Sequence, residues 1–211
     1  MKRVKPKLPT SLSELDLPSV LEEDHYISNG IIREWKMDKY WEEKLQFDQI
    51  VFQDLSLEDI HFDQVEFIDC RFERCDFSNA HFGNVLFHRV EFVECKLLGA
   101  SLTHASWNHT LLDRCIADYA NMSFNKVTAS QWTRTSFREV DFFECEWKSL
   151  ELEVCTLDGV NLSGTNLNGV NLSTSTYESL TVSIELLKGC IVTEQQALGF
   201  AKTLGIVIEE N

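Results

Sequence analysis

The sequence lacks a long apolar run, and none approaches the ~18 residues that a membrane-spanning helix needs. The basic N-terminus, residues 1–7, is not followed by an apolar segment, so it does not resemble a secretory signal. These two absences argue against the membrane and secreted classes, and we expect a soluble protein of the cytoplasm. A chain of 211 residues is long enough to bury a sizeable core.

Motifs that carry catalytic chemistry are also absent. The sequence contains no P-loop and no G-x-S-x-G, H-E-x-x-H, G-x-G-x-x-G or C-x-x-C motif. His61 and His81 share a spacing that could bring them together, but two ligands without a neighbouring third make a poor metal site. We therefore expect no enzymatic activity, no cofactor and no bound metal.

The 7 cysteines are an odd number, which argues against a disulfide framework and favours a reducing compartment. All of them fall on positions that are multiples of five, where Ala, Val and Thr occur elsewhere in the chain. We interpret Cys at these positions as a small buried residue rather than as a metal or redox ligand. The positions are Cys70, Cys75, Cys95, Cys115, Cys145, Cys155 and Cys190.

One long-range pattern dominates the sequence: every fifth residue from Phe47 to Leu187 is apolar, and Tyr177 alone adds a hydroxyl. The residue two places before each of these apolar residues is small or aliphatic, with a more polar stretch over residues 110–135. A period of five matches neither the helical period of 3.6 nor the strand period of two. It predicts a solenoid, in which four units form one coil of about 20 residues that buries its apolar side chains against its neighbours.

The stretch over residues 160–172, VNLSGTNLNGVNL, resembles the idealised unit A(D/N)LXX of the pentapeptide-repeat family. The resemblance implies an all-β solenoid, a right-handed quadrilateral parallel β-helix, here followed by a C-terminal helical cap. We assign residues 45–183 to the β-helix, in about seven coils. Residues 1–44 are assigned to an N-terminal cap and residues 184–211 to a segment that caps and dimerises. Coils about 4.8 Å apart would make a rod roughly 35 Å long.

Charge is distributed unevenly around this predicted rod, whose chain has a formal net charge of −15. The side centred on Leu57 and Phe77 is mostly acidic, and the side centred on Phe62 and Phe82 carries acids but no Lys or Arg. The side through Phe52 mixes acids with arginines that we expect to pair with them. Negative charge ordered along a rod favours basic partners. The predicted partner-binding residues are Glu58, Asp59, Asp76, Asp118, Tyr119, Glu139, Asp141, Glu144 and Asp158.

The C-terminal segment carries helix signals. Thr193 and Gln196 form a capping-box pattern, and Gly205 is expected to close the helix that follows. Ser183 is predicted to cap a short turn, and residues 190–192 to form an extended link. The last coil of a solenoid needs a cap, and this segment has more apolar residues than a cap requires, which predicts a two-fold dimer. The predicted interface residues are Leu186, Leu187, Ile191, Ala197, Leu198, Phe200, Ala201, Leu204, Ile206 and Ile208.

The N-terminal segment is less regular. An Asn-Gly pair within residues 26–32 predicts a tight hairpin. A helix over residues 31–44 is an alternative. Ile27 and Ile32 keep the five-residue frame, whereas Glu42 breaks it.

Within the family, the chain resembles the Qnr and MfpA group, which is associated with quinolone resistance. The resemblance rests on residues 115–120, CIADYA, and on residues 187–197, LKGCIVTEQQA. It implies a homodimer that mimics the size, shape and charge of B-form DNA without binding nucleic acid itself. The implied partner is DNA gyrase, with topoisomerase IV as a second candidate, at the saddle that otherwise binds DNA phosphates.

Two features depart from that group. The unbroken frame over residues 47–187 leaves no room for the projecting loops that some members need to protect gyrase from drugs. The N-terminal segment is also longer than in typical members. We therefore expect inhibition of supercoiling more strongly than protection against fluoroquinolones. The alternative function is a protein-interaction scaffold whose partner is unrelated to topoisomerases.

Overall fold

The computed structural model of the chain describes residues 2–17, 25–35, 40–41, 44–203 and 205–209. These residues form a parallel β-solenoid of about 8 turns with one short α-helix near the C-terminus. None of the helices in the described part of the chain is long and apolar enough to cross a membrane. The strands are β1 Ser13–Glu14, β2 Tyr26–Ile32, β3 Tyr40–Trp41, β4 Gln46–Gln53, β5 His61–Asp63, β6 Glu66–Ile68, β7 Arg71–Glu73, β8 His81–Gly83, β9 Leu86–His88, β10 Glu91–Val93, β11 Ser106–Asn108, β12 Leu111–Asp113, β13 Lys126–Thr133, β14 Glu146–Glu153, β15 Val160–Leu162 and β16 Leu180–Val182. A 3-10 helix covers Ile184–Leu186, and helix α1 covers Glu194–Thr203.

The strands pair in parallel from one coil to the next along the chain. Phe47 of β4 lies opposite Phe67 of β6, and Leu112 of β12 lies opposite Trp132 of β13, so both pairs are separated by the same length of chain. Isolated bridges keep this register on the sides that lack strands, as between Lys96 and Ile116. The predicted coil of four five-residue units is therefore confirmed.

The inward residues form columns of stacked side chains that fill the rod. Phe52 stacks on Phe72 with ring centroids 4.5 Å apart, and Phe72 stacks on Phe92 at 4.8 Å. Rings of neighbouring columns meet edge to face, as Phe47 does with Phe52 at 5.1 Å and 76°. The predicted inward series is buried from Phe47 to Leu172 except at one position. The half-buried members are Trp147, Tyr177, Val182 and Leu187.

At most inner corners that carry Cys, Ser or Thr, the side chain donates a hydrogen bond to the backbone. The thiol of Cys75 donates to the carbonyls of Phe52 and Glu73, each at 3.5 Å. Ser130 occupies an equivalent corner and donates to the carbonyl of Thr128 at 3.1 Å. Thiol and hydroxyl serve the same acceptors, which explains why Ser and Thr replace Cys along this series. All 7 cysteines are free, and burial raises the pKa of Cys155 to about 11.

From Gln49 to Gly169, the residue two places after each inward residue, here called the corner residue, adopts a positive φ. Examples are Asp54 and Val154, both at 57°, and Tyr119 at 61°. This left-handed conformation turns the chain from one side of the rod to the next. It costs an L-residue about 1–2 kcal/mol, less for Asn and Asp and more for a β-branched residue.

The Asn29-Gly30 pair does not form a hairpin, so that prediction is wrong. The pair lies inside β2, which runs parallel to β4 with Gly30 opposite Ile50. Asn29 has a φ of 60°, and Gln49 one coil later has a similar φ, so Asn29 is a corner residue of the repeat. Glycine is needed at position 30 because a Cβ there would lie 2.3 Å from the Leu15 side chain. Asn29 therefore adopts the left-handed conformation of a solenoid corner, and the chain does not reverse direction there.

The solenoid starts before the frame predicted from residue 45. Trp41 of β3 pairs with Phe62, whereas Phe47 of β4 pairs with Phe67, so the first pair is separated by one residue more than the second. The register thus slips by one residue. Trp41, rather than Glu42, occupies the register position opposite Phe62, which explains why the five-residue pattern breaks at Glu42. The alternative helix over residues 31–44 is wrong where it can be compared, since residues 31–32 and 40–41 are strands. Residues 36–39 and 42–43 lie outside the described part of the chain.

The N-terminal arm, residues 2–12, runs along one corner of the rod and leads into β1, which pairs with β2. Beyond β1, Leu17 is buried in the core, and Trp35 packs on Phe47 and Phe62 with centroid distances of 6.4 and 5.6 Å. These residues cover the first coil.

Four polar contacts hold the arm on the rod. Arg3 Nη1 forms an ion pair with Glu91 Oε1 at 2.9 Å, and the Val4 amide donates a hydrogen bond to His109 Nδ1 at 3.2 Å. The Lys7 amide donates to Asp69 Oδ1 at 2.9 Å, and the Lys7 carbonyl accepts from Gln49 Nε2 at 2.9 Å.

Asp69 is the buried anchor of this arm, with 4% of its surface exposed. Its carboxylate also accepts hydrogen bonds from Arg89 Nε at 2.5 Å and Nη2 at 2.6 Å. Burial by itself raises the pKa of Asp69, but the hydrogen bonds from Arg89 and from the Lys7 amide outweigh burial and hold the pKa below its usual value.

The long sheet ends at β14, which among the described strands pairs with β13 alone. In the next coil the Asn166 side chain accepts a hydrogen bond from the Asn168 amide at 3.0 Å, and Asn171 accepts one from Ser173 at 3.0 Å. These local bonds make the units tight turns rather than strands, because the side chain takes the amide that a ladder would use. The change of backbone shape leaves Trp147 half-buried.

The predicted C-terminal helix is confirmed as α1. The Gln196 amide donates to Thr193 Oγ1 at 3.2 Å, and the Thr193 amide donates to Gln196 Oε1 at 2.9 Å, which is the expected capping box. Gln196 Nε2 also donates to the carbonyls of Leu172 and Ser175, so it fastens the helix to the last coil. The short turn is present as the 3-10 helix, but Ser183 does not cap it with its side chain. The Ser183 hydroxyl instead accepts from the Gly164 amide at 3.0 Å.

Val154 combines a β-branched side chain with a left-handed φ, and 65% of its surface is exposed. Replacing it, Val154→Asn, should raise the free energy of unfolding by about 1 kcal/mol, because Asn adopts this conformation with less strain. Denaturant titration of the two proteins measures the difference. The reverse exchange at an equivalent corner, Asn79→Val, should lower stability; equal stability of Val154→Asn and the parent would contradict the strain argument.

Asp69→Asn should lower the free energy of unfolding at pH 7 by about 1.5–3 kcal/mol, since it weakens charged hydrogen bonds and leaves Arg89 under the arm. The folded pKa is depressed, so the carboxylate stabilises the protein above its unfolded pKa of about 3.9. That stabilisation is lost as the pH falls through the folded value. Thermal unfolding from pH 7 to pH 3 should show the gap between variant and parent closing on acidification.

Asp54→Asn provides the matched control. Asp54 accepts two hydrogen bonds from Arg74 in the same arrangement, at 2.6 and 2.9 Å, but this pair is exposed and no arm covers it. Its replacement should change stability little, because solvent screens exposed ion pairs. Equal losses at positions 54 and 69 would show that burial under the arm is unimportant.

Candidate partner-binding surface

Two adjacent sides of the rod carry the predicted partner-binding residues. The acidic face is the side with central residues Phe62, Phe82, Leu102, Met122, Phe142 and Leu162, and it carries Asp63, Asp141 and Glu144. The mixed face is the preceding side, with central residues Leu57, Phe77, Leu97, Ala117, Phe137, Leu157 and Tyr177. The mixed face also carries Lys96 and Arg138. Because the register is the same from coil to coil, residues at the same place in successive coils form columns along each face.

Four of the predicted aspartates support the backbone of the rod. Asp118 accepts hydrogen bonds from the Ser136 hydroxyl at 2.5 Å and the Arg138 amide at 3.0 Å, and its side chain is 15% exposed. Asp158 accepts from the amides of Glu178 and Ser179 at 3.1 and 3.2 Å. These two residues link adjacent coils, so their carboxylates are engaged in the fold.

Asp76 and Asp141 have the same kind of role. Asp76 accepts from the amide and the hydroxyl of Ser78, and from Lys96 Nζ at 2.8 Å. Burial alone raises the pKa of Asp76, but the bonds from Lys96 and Ser78 bring it below its usual value. Asp141 accepts from the Phe143 amide at 3.0 Å and from Asn161 Nδ2 at 2.9 Å.

Glu139 and Glu144 are exposed corner residues on the two edges of the acidic face. In the part of the chain that the structure describes, neither forms an ion pair. One coil later each column has a glycine, and a Cβ on Gly159 would lie 2.5 Å from Glu139 Oε1, while one on Gly164 would lie 2.6 Å from Glu144 Cγ. The two glycines therefore leave room for the glutamate side chains, whose charge stays available to a partner.

Glu58 and Asp59 lie at the start of the mixed face, and Tyr119 lies near its middle. Glu58 and Asp59 are exposed, and the Ser56 hydroxyl donates to Glu58 Oε1 at 3.3 Å. Tyr119 is 65% exposed at the corner one coil before Glu139. The structure thus brings Tyr119, Glu139 and Glu144 to one region and leaves Glu58 and Asp59 several coils away.

Sequence reasoning missed Phe124, which is 40% exposed at the corner one coil before Glu144. Its ring stacks on His104 at 4.9 Å and meets Phe143 edge to face at 5.5 Å. The signal for it was present, since Phe124 occupies the same place in its unit as Tyr119. Large apolar residues outside the inward frame of a filled solenoid are candidates for contacts with a partner.

The side through Phe52 and Phe72 behaves differently, because its acids pair with arginines. Arg114 Nε lies 3.0 Å from Glu94 Oε1, and Arg134 Nη2 lies 2.5 Å from Asp113 Oδ1. With the Arg74–Asp54 pair, these contacts confirm the predicted neutralisation on this side. The acidic face differs from this side because it carries no Lys or Arg, and exposed glutamates lie at its two edges.

His61 and His81 stack with ring centroids 4.4 Å apart. Within the described residues, no group of three His, Cys, Asp or Glu side chains is placed to hold a metal ion. The two imidazoles thus meet as adjacent members of a column.

Comparisons with known proteins place the repeats in a family. The profile described as Pentapeptide repeat region matches residues 85–162, and the profile described as Pentapeptide repeats (9 copies) matches residues 47–95. No curated protein sequence matches the chain. Among solved structures, full-length QnrB1, a plasmid-mediated fluoroquinolone resistance protein, is 17% identical with a TM-score of 0.39, and the match covers 86% of this chain and 97% of that one.

Rfr23, a pentapeptide repeat protein from the cyanobacterium Cyanothece 51142, is 14% identical with a TM-score of 0.31, over 68% of this chain and 91% of its own. Neither structural similarity bears on function. The two family profiles together extend over residues 47–162, more than half of the 211 residues. The repeat register, the left-handed corners and these profiles lead to one conclusion: the chain is a pentapeptide-repeat protein.

Proposed function

We propose that this protein is a non-enzymatic DNA mimic that binds the DNA-binding saddle of DNA gyrase, with topoisomerase IV as a second candidate target, and inhibits supercoiling. Protection against fluoroquinolones is a further, weaker part of the proposal. The observation that carries it is the acidic face, where Glu139 and Glu144 are exposed and no Lys or Arg is present. The sequence resemblance of residues 187–197 to the Qnr and MfpA group supports the same partner.

The electrostatics explain how such a rod would compete with DNA. A saddle that binds duplex DNA presents Lys and Arg to phosphates, and releases counterions when they are neutralised. A narrow rod with carboxylates on one side offers the same saddle fixed negative charge. Binding should therefore weaken as salt rises and should exclude DNA from the saddle.

A dimer through the C-terminal segment is part of the proposal. Ile191, Leu198 and Ile206 are 51%, 44% and 53% exposed, so α1 and its flanks present apolar surface beyond what the cap buries. Ala197 is also exposed, whereas Leu186, Leu187, Phe200, Ala201 and Ile208 are half-buried. Phe200 packs towards Tyr177 of the last coil at 6.2 Å. Leu204 lies outside the described residues.

Reversal of the exposed charge tests the proposed function. The double variant Glu139→Lys with Glu144→Lys should weaken inhibition of gyrase supercoiling by about tenfold or more, because it places cations against a basic saddle. The measurement is the concentration for half inhibition in a supercoiling assay with purified gyrase, at several salt concentrations. The aspartates at 118, 141 and 158 are unsuitable for this test, since they bind the backbone.

The control is Glu151→Lys with Glu153→Lys, an equal change of charge at exposed positions on another side of the rod. It should retain most of the inhibition. If both double variants inhibit equally, the acidic face is not the binding surface. If the parent protein does not inhibit gyrase at any salt concentration, the scaffold function with another partner replaces the proposal.

Leu198→Glu tests the dimer. A carboxylate in the middle of the apolar surface of α1 should shift the protein to a monomer, because an unpaired charge would be buried at a two-fold contact. Light scattering coupled to size-exclusion chromatography measures the mass, which should fall from twice 24.3 kDa to 24.3 kDa. A parent protein that is already monomeric, or a dimer unaffected by the change, would exclude this interface.

A further inference from the structure

We propose that the two edges of the acidic face each bind an arginine side chain of a protein partner, between an exposed aromatic ring and an exposed carboxylate. One site consists of Tyr119 and Glu139, and the other of Phe124 and Glu144. The inference rests on the proposed function and names the chemistry by which the partner is recognised.

The rings have no role in the core. Tyr119 and Phe124 are 65% and 40% exposed, and both have a φ of 61°, which strains an aromatic residue. Two coils earlier the same columns contain Asn79 and Asn84, which occupy the same left-handed conformation. The fold therefore accepts a small polar residue at these corners, and the exposed part of each ring is available to a partner.

Each ring lies one coil before a glutamate. The Tyr119 amide donates to the carbonyl of Arg138, the residue before Glu139, and the Phe124 amide donates to that of Phe143, the residue before Glu144, both at 2.8 Å. The two residues of each site thus follow one another at the coil spacing of about 4.8 Å along the same edge, and the glutamate side chain extends towards the glycine of the next coil, away from the ring. Arg138 does not occupy the first site, since its guanidinium lies 3.2 Å from the Ser136 hydroxyl and 3.7 Å from Asp118.

Arginine suits this arrangement better than lysine. Its planar guanidinium stacks on an aromatic face and donates two parallel hydrogen bonds to a carboxylate, whereas an ammonium is a strongly hydrated point charge. The second ring is also held in place, because Phe124 stacks on His104 and contacts Phe143. A surface that copied only the charge of DNA would not need either ring. The partner is therefore a protein surface that presents two arginines, one to each edge of the acidic face.

Two peptides separate this recognition from charge alone. The parent protein should bind octa-arginine roughly tenfold more tightly than octa-lysine at the same ionic strength, measured by calorimetry. The variant Tyr119→Asn with Phe124→Asn uses residues already present in these columns, so its fold should be retained, as circular dichroism can verify. In this variant the preference for arginine should fall to about twofold or less, while binding of octa-lysine is little changed.

Two further variants complete the test. Glu139→Gln with Glu144→Gln should weaken binding of both peptides, because it removes charge. Ile116→Ala is the control: Ile116 is 44% exposed on the mixed face, but the residue one coil later is Ser136, so it has no carboxylate partner. It should leave the arginine preference intact.

Equal affinity of the parent for the two peptides, or a preference that survives the loss of both rings, would overturn the inference. The outcomes of the peptide experiment and of the supercoiling assay can be told apart. Arginine preference without gyrase inhibition would retain these sites and remove gyrase as the partner. Inhibition without arginine preference would retain the proposed function and remove these sites.

Discussion

Stacking of each inward side chain on the inward side chain one coil later, ring on ring in the first coils, is the interaction on which the rest of this molecule depends. Phe72 lies between Phe52 and Phe92 at 4.5 and 4.8 Å, which is close to the spacing of hydrogen-bonded strands. The same coil spacing therefore satisfies the backbone ladder and the packing of the core. One extra residue in a coil would move the following side chains off their columns, unless a later deletion restores the register.

The external surface follows from that constraint. Because the chain must turn after every inward residue, each corner takes a left-handed residue, and the side chain there projects outwards. Residues directly beside an inward residue are close enough to the neighbouring coil to bind its backbone, as Asp118 does with the Arg138 amide. A carboxylate at a corner is left for a partner where no arginine reaches it, as at Glu139, whereas the corner residues Asp69 and Asp54 are paired with arginines of the next coil. Position within the five-residue unit and the residue one coil away together separate structural acids from available ones.

Much of the fold could be predicted from the sequence, because the inward column is apolar almost without exception and the coil length follows from it. The slip at Trp41 could not, since a single-residue shift compensated a few residues later is visible only in the strand pairing. The Asn29-Gly30 pair was misread because a left-handed Asn is typical of a hairpin and equally of a solenoid corner. The acidic side was predictable, but Asp118 and Glu139 could not be given different roles until their hydrogen bonds were known.

The N-terminal arm has a consequence for how the molecule unfolds. In a solenoid each coil touches only its neighbours, so a rod can fray coil by coil from either end. Here Val4 is hydrogen-bonded to His109 and Arg3 is paired with Glu91, both several coils beyond the first strand. Loss of the early coils must release these contacts together with the buried Asp69. The arm thereby couples the coils up to His109 into a single cooperative unit, which leaves the coils beyond His109 as the part that can open independently of the arm.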